Sequence, residues 1–296
     1  MRNLPPRRLV FSGGGIRVIS YIGALQVFHE HNLLKHVKEF CGVSAGGLTA
    51  LMLALGYSLP TLERFTFHFD FSNIRSIDPE TILTVTDTFG IDDGAELDKL
   101  LCKILFHKGF GPTTTFGDLA ASGKCAGLRV WAADIQYMKL LEFSARTTPN
   151  IEVRFALRAS MAIPFYFIPL RHPETDTLLV DGGVLDNYPI SVLTEEESEE
   201  SIGLTFDFSE KPMTITNVGD FLSRICSGYY MPSYQRLLER HRARTIVVPI
   251  GEFPSLHFEA TAEDKQLLVR KGREATEAFL RVSGGEPPPI RRHSVS

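Results

Sequence analysis

The sequence predicts an α/β fold with a mainly parallel sheet and helices on its faces, and three observations lead there. Arg8-Leu9-Val10-Phe11-Ser12 is a short apolar run that passes through a glycine loop into Val18, Ile19, Ile22, Leu25 and Phe28 at helical spacing. The same order of strand, loop and helix returns between Phe40 and Leu55. The composition, 44% hydrophobic and 22% charged over 296 residues, supplies enough apolar surface for one large core.

The elements follow in order. Phe40-Cys41 ends the second strand, Gly42-Val43-Ser44-Ala45-Gly46 turns the chain, and Leu48, Ala50, Leu51, Leu53, Ala54 and Leu55 form a helix. The stretch from Phe40 to Leu62 carries no charge and approaches the length of a membrane span. Its glycines (Gly42, Gly46, Gly47, Gly56), with Ser44 and Pro60, divide it instead into strand, turn and buried helix. From Leu59 to Gly117 the chain reads as helical and loop-rich, and Phe65, Phe67, Phe69 and Phe71 alternate as in a strand or an irregular lid rather than on one helical face. Asp92-Asp93 precedes a helix that runs through Leu100, Leu101 and Leu105.

Leu128 to Ile135 and Lys139 to Ser144 predict two strands joined by a turn. A helix from Val153 to Met161 is ended by Pro164, and Leu178-Leu179-Val180 is a strand running into Asp181-Gly182-Gly183. The acidic run Glu195 to Glu200 predicts a solvated loop. Ser201 to Phe206 and Thr245 to Ile250 are further strands, and Ala262 to Val282 is a closing amphipathic helix. With no repeat or linker, residues 1–283 read as one domain. Residues 284–296, containing Gly284-Gly285-Glu286-Pro287-Pro288-Pro289 and Arg291-Arg292-His293, read as a disordered, Pro-rich basic tail.

The net charge of −4 argues against nucleic acid as a partner. Cys41, Cys102, Cys125 and Cys226 are too scattered for a metal motif, so free thiols and no metal are expected. The basic amino terminus runs into a strand without the apolar stretch of a signal peptide. An intracellular location follows, soluble or peripheral at membranes or lipid droplets.

Gly42-Val43-Ser44-Ala45-Gly46 between strand and helix is the setting of a nucleophile elbow, with Ser44 at the head of a helix whose amides favour a developing anion. A serine hydroxyl needs a base and oxyanion donors to attack a carbonyl. Gly13-Gly14-Gly15 offers converging backbone N–H groups. It is no dinucleotide cradle, because Val18 stands where the last glycine of G-x-G-x-x-G would fall, and it lacks the Lys-Ser/Thr of a P-loop. For the base two routes stand open: a triad in which His241 or His257 follows Asp181, or Asp181 acting alone at the end of its strand.

Four blocks, Ser12-Gly13-Gly14-Gly15-Ile16-Arg17, Gly42-Val43-Ser44-Ala45-Gly46, Arg158-Ala159-Ser160-Met161-Ala162-Ile163-Pro164 and Asp181-Gly182-Gly183-Val184-Leu185-Asp186-Asn187-Tyr188-Pro189, together resemble the patatin-like phospholipase family. They run over the first two thirds of the chain in that family's order. The resemblance implies a three-layer α/β/α patatin-like fold with a mainly parallel central sheet. It also implies a Ser-Asp dyad in which Ser44 attacks an ester carbonyl and Asp181 takes its proton, with amides around Gly14 and Gly15 as oxyanion hole and that of Ala45 as helper. The implied activity is a calcium-independent, phospholipase A-type acyl hydrolase without cofactor. Its substrate would be a phospholipid or another fatty-acyl ester, met in transient association with a membrane surface. The rivals are an esterase or lipase with a Ser-Asp-His triad, and a non-catalytic lipid-binding module of the same fold.

One departure is Val18, where the family has glycine; a β-branched residue there requires negative φ. Arg17 is a candidate contact for a substrate phosphate, against the plainer reading of pairing with a surface acid. Arg158 is expected to hold the loop ending at Pro164, and Asp186 with Asn187 to brace the turn after Asp181. The aromatics from Phe65 to Phe71, with Tyr229, Tyr230 and Met231, would line an acyl groove or pack in the core.

Overall fold

The structure is a computed structural model, and it describes residues 5–74, 81, 83–207, 214–215, 221, 224, 234–251, 253–255 and 259–283. Among the described residues there are ten strands: β1 (Arg8–Phe11), β2 (Glu39–Val43), β3 (Gly90–Asp92), β4 (Gly127–Asp134), β5 (Lys139–Ser144), β6 (Phe165–Phe167), β7 (Leu170–Arg171), β8 (Leu178–Asp181), β9 (Ser201–Phe206) and β10 (Thr245–Val248). Eight of them form the central sheet in the order β10-β9-β1-β2-β4-β8-β7, with β5 also on β4. From β10 to β4 all neighbours are parallel, whereas β5, β8 and β7 enter antiparallel. β3 and β6 make a separate two-stranded sheet.

Side chains alternate across a strand, so each central strand feeds two layers of core. Leu9, Phe11, Phe40, Val130 and Ala132 face the larger cluster, with Leu25, Leu51, Leu101, Leu157 and Leu268 from the helices. The alternate residues Val10, Cys41, Val43 and Trp131 face a second cluster, closed by Tyr188, Ile190, Leu193 and Tyr234. That is the three-layer arrangement expected from the sequence. The helix Ala45–Ala54 is buried along most of its length, which explains why its sequence carries no polar face.

Several elements differ from their sequence reading. Phe65 and Phe67 lie in a helix, Leu59–His68, with a proline in its first turn. Phe65 stacks on Phe69 one turn later (4.8 Å between ring centroids), and Phe71 meets both edge-on. The alternation therefore marks a helix end with the chain folded back on it, and the strand reading is corrected. The acidic run is likewise a short helix, Glu195–Glu199, begun by a capping box between Thr194 and Glu197. The Thr245 strand ends at Val248, and the first strands, the β4–β5 hairpin and the closing helix Ala262–Ser283 lie where expected. Cys226, Tyr229, Tyr230, Met231, His257 and residues 284–296 lie outside the described residues. Among the described residues no helix is long and apolar enough to cross a membrane.

Candidate active site

The register of β4 brings the two ends of the site together. β5 pairs with β4 from Arg129 to Asp134 and fills one edge of that strand. β2 and β8 must then share the other edge, β2 running parallel to it and β8 antiparallel. Val43 stands opposite Trp131, and Asp181 stands opposite Ala132, the next residue along. The carboxyl ends of β2 and β8 thus meet head to head, and Ser44, one residue beyond Val43, arrives against Asp181.

The contact is direct: Ser44 Oγ donates to Asp181 Oδ2 at 2.5 Å. Ser44 is held at φ 53°, ψ −134°, a strained conformation for a residue with a side chain and the one a strand-to-helix elbow imposes. A Cβ at Gly46 would lie 2.4 Å from Ser12 O, so the tight turn depends on glycine there. The Ser44 amide donates to Ser160 Oγ at 2.8 Å, which fixes the elbow from the side of the helix Val153–Ser160. Sequence reasoning gave Ser160 no role, although it lies inside one of the four motif blocks.

Asp181 is 6% exposed. Burial pushes its carboxyl up to about 7, although hydrogen bonds from Ser44 Oγ and the Gly183 amide (2.7 Å) pull the other way. Its own amide donates to Ala162 O at 2.8 Å. The turn beyond is braced by Asp186, which accepts from Tyr188 N and from Ser191 Oγ.

The glycine loop lies against this pair: a Cβ on Gly13 would stand 3.0 Å from Ser44 Cβ. Asn187 clamps it, Nδ2 donating to Gly13 O at 3.0 Å while Asn187 O accepts from Gly13 N at 3.1 Å. The Gly13 amide is thereby engaged and unavailable to an oxyanion, which corrects its place in the expected donor set. The amides of Gly14, Gly15 and Ala45 have no acceptor among the described residues.

The other candidates fall away from the pair. Arg17 Nε donates to Phe253 O at 2.6 Å, tying the loop to a distant segment. Val18 lies in a 3-10 turn, Gly15–Ile19, and is absent from the residues with positive φ, as its branching requires. Arg158 is buried, donates to Asp93 O at 2.7 Å and lies over the Phe167 ring; burial lowers its pKa despite nearby Asp92, Asp98 and Asp93. His241 lines a surface groove with Ser191, Glu199 and Arg240. Among the described residues no three His, Cys, Asp or Glu side chains gather as metal ligands.

The family model for patatin-like phospholipases matches residues 9–194, a span that holds all four motif blocks and the whole Ser44–Asp181 geometry. The chain belongs to the patatin-like phospholipase family. As a patatin-like protein it is a lipid hydrolase. YqhO of Bacillus subtilis strain 168, an uncharacterised protein, is 28% identical over 305 aligned positions, covering 92% of this chain and 97% of that one. The probable lipid hydrolase 463L of Invertebrate iridescent virus 6 is 26% identical over 198 positions, 66% of each chain. The patatin-like fold is shared with VipD from Legionella pneumophila, which superposes with a TM-score of 0.65 at 20% identity over 95% of this chain and 67% of that one.

Proposed function

We propose that the chain is a calcium-independent, phospholipase A-type acyl hydrolase working through a Ser44–Asp181 dyad. The observation that carries this reading is the direct bond between Ser44 Oγ and the buried Asp181 carboxylate, with no room between them for an imidazole. Asp181 takes the hydroxyl proton as Ser44 attacks the ester carbonyl, then passes it to the leaving alcohol. An acyl group is left on Ser44, and Asp181 activates the water that removes it. A carboxyl near 7 suits both halves, since it accepts and returns a proton at neutral pH.

The developing oxyanion is received by the amides of Gly14 and Gly15, with Ala45 assisting, all of them without protein acceptors among the described residues. Asn187 holds that loop against the dyad through its paired bonds with Gly13. The substrate is a phospholipid or related fatty-acyl ester, taken from a membrane surface.

The test is product analysis on a lipid panel in the presence of a chelator, with wild type against Ser44→Ala. Fatty-acid release by the wild type, its loss in the variant, and fluorophosphonate labelling confined to Ser44 are the expected results. The rate should rise with pH and level off above about 7, as Asp181 ionises. Full turnover in Ser44→Ala would end this reading.

A further inference from the structure

Two phenylalanines occupy backbone positions that belong to glycine. Phe165 follows Pro164 in a turn closed by Tyr166 N donating to Ile163 O at 3.2 Å, and its φ is 64°. Proline second and positive φ third is the pattern of a type II turn, whose third place is glycine's or asparagine's. Phe89 ends the helix Val85–Thr88 in the left-handed conformation, φ 59° and ψ 15°, again a place usually filled by glycine.

A bulky side chain in this region is strained, and strain of this kind clusters at functional sites. Neither residue belongs to the apolar core, and each is about half exposed, Phe89 at 50% and Phe165 at 56%. They are neighbours, because Phe165 pairs with Gly90, the residue after Phe89, in the β3–β6 sheet. Leu83, 84% exposed, belongs to the same segment, which Thr81 ties to β3 through Ile91 O. Phe165 also lies three residues beyond Ala162, whose carbonyl accepts the Asp181 amide at 2.8 Å, so the chain that carries this ring passes beside the dyad.

We infer that Phe89 and Phe165, with Leu83, form the surface by which this protein seats on a lipid bilayer beside its active site. The inference rests on the lipid acyl hydrolase reading for the choice of occupant. A buried dyad must draw its ester out of an aggregate, and strained, exposed rings at its border place apolar area where the bilayer would meet the protein. Insertion of the rings into the acyl boundary returns the hydrophobic free energy that their exposure withholds.

The experiment is co-sedimentation of the full chain with phosphatidylcholine vesicles, which reads binding whether or not the protein turns over. Phe89→Gly and Phe165→Gly together should lower the partition coefficient by about tenfold or more. The melting temperature should hold or rise, since glycine relieves both positive φ angles, and cleavage of a short-chain soluble ester should be unchanged. Unchanged partition, a wild type that does not bind vesicles, or a loss matched by Phe106→Ala at another exposed site would each overturn the inference. Phe165→Trp gives an independent reading: Trp131, the sole native tryptophan, is 2% exposed. Vesicles should therefore shift the new residue's emission to the blue, and no shift counts against the proposal. Vesicle binding that survives with no ester hydrolysis would separate this surface from the chemistry assigned to Ser44.

Discussion

At the carboxyl end of β2 the sheet buries Asp181 with a hydroxyl and an amide as partners, whereas toward the amino end of the same strands it buries Arg129 among three carboxylates. Arg129 donates to Glu142 at 2.7 Å and Glu197 at 2.9 Å, with Glu39 at 3.7 Å. Arg8 and Arg146 complete the cluster on Glu39, Glu142 and Glu197. Burial works against the Arg129 cation, but the hydrogen bond and charge of Glu142 outweigh it and raise its pKa, whereas at Asp181 burial wins and moves a carboxyl to about 7. A compensated charge holds one protonation state at every working pH and serves the fold. A charge left to neutral donors sits at the point of exchange, where it can do acid and base work.

The sharpest way to break this comparison is Asp181→Asn. It should lower kcat/KM by a factor of about 1,000 or more, in the range expected on losing the general base. It should also stabilise the fold. Because the Asp181 pKa is raised from 3.8 to about 7, the folded protein holds a proton in that window that the unfolded chain releases, and stability falls as pH rises through it. The amide removes this penalty, so the variant should be the more stable at pH 8, by something on the order of 3 kcal/mol in urea unfolding. A variant less stable than wild type at that pH would contradict the uncompensated burial.

Arg129→Met should do the reverse. Removing the buried cation leaves the three carboxylates only Arg8 and Arg146 at the cluster's edge and should cost about 3 kcal/mol. Fluorophosphonate labelling of the folded fraction should stay at the wild-type rate. Ser160→Ala is the smallest expected effect: the Ser44 amide loses its acceptor, costing about 1 kcal/mol of stability. The kcat should fall by about tenfold as the elbow relaxes, with KM little changed; an unchanged kcat would show that the elbow holds its own strain.

How far each region was legible follows the range of its interactions. The elbow, the glycine loop and the strand-end aspartate are each local, a turn beside an apolar run, so Ser44 and Asp181 could be read from short stretches. Their partners could not. Ser160 reaches Ser44 from 116 positions away, and the bond by which Asn187 engages the Gly13 loop spans 174. Glu197 belongs to a run that reads as solvated: its partner Arg129 lies 68 positions away, and a salt bridge across a fold leaves no spacing in the chain. The Thr194 to Glu197 capping box, by contrast, was there to be read. The aromatic alternation imitates a strand because Phe65 and Phe69 follow a helical period, whereas Phe71 lies beyond the helix end and returns to them through space.

The head-to-head meeting of β2 and β8 makes β4 the gauge that spaces the reacting atoms, although no β4 side chain enters the chemistry. Trp131 and Ala132 receive Val43 and Asp181 on consecutive rungs. One residue inserted between them would part the two chain ends by about 3.3 Å, the rise of a strand. Hydroxyl and carboxylate would then both be intact and out of reach of one another. Heredity of the reaction in this fold therefore passes through the backbone count of a strand as much as through the identity of Ser44 and Asp181.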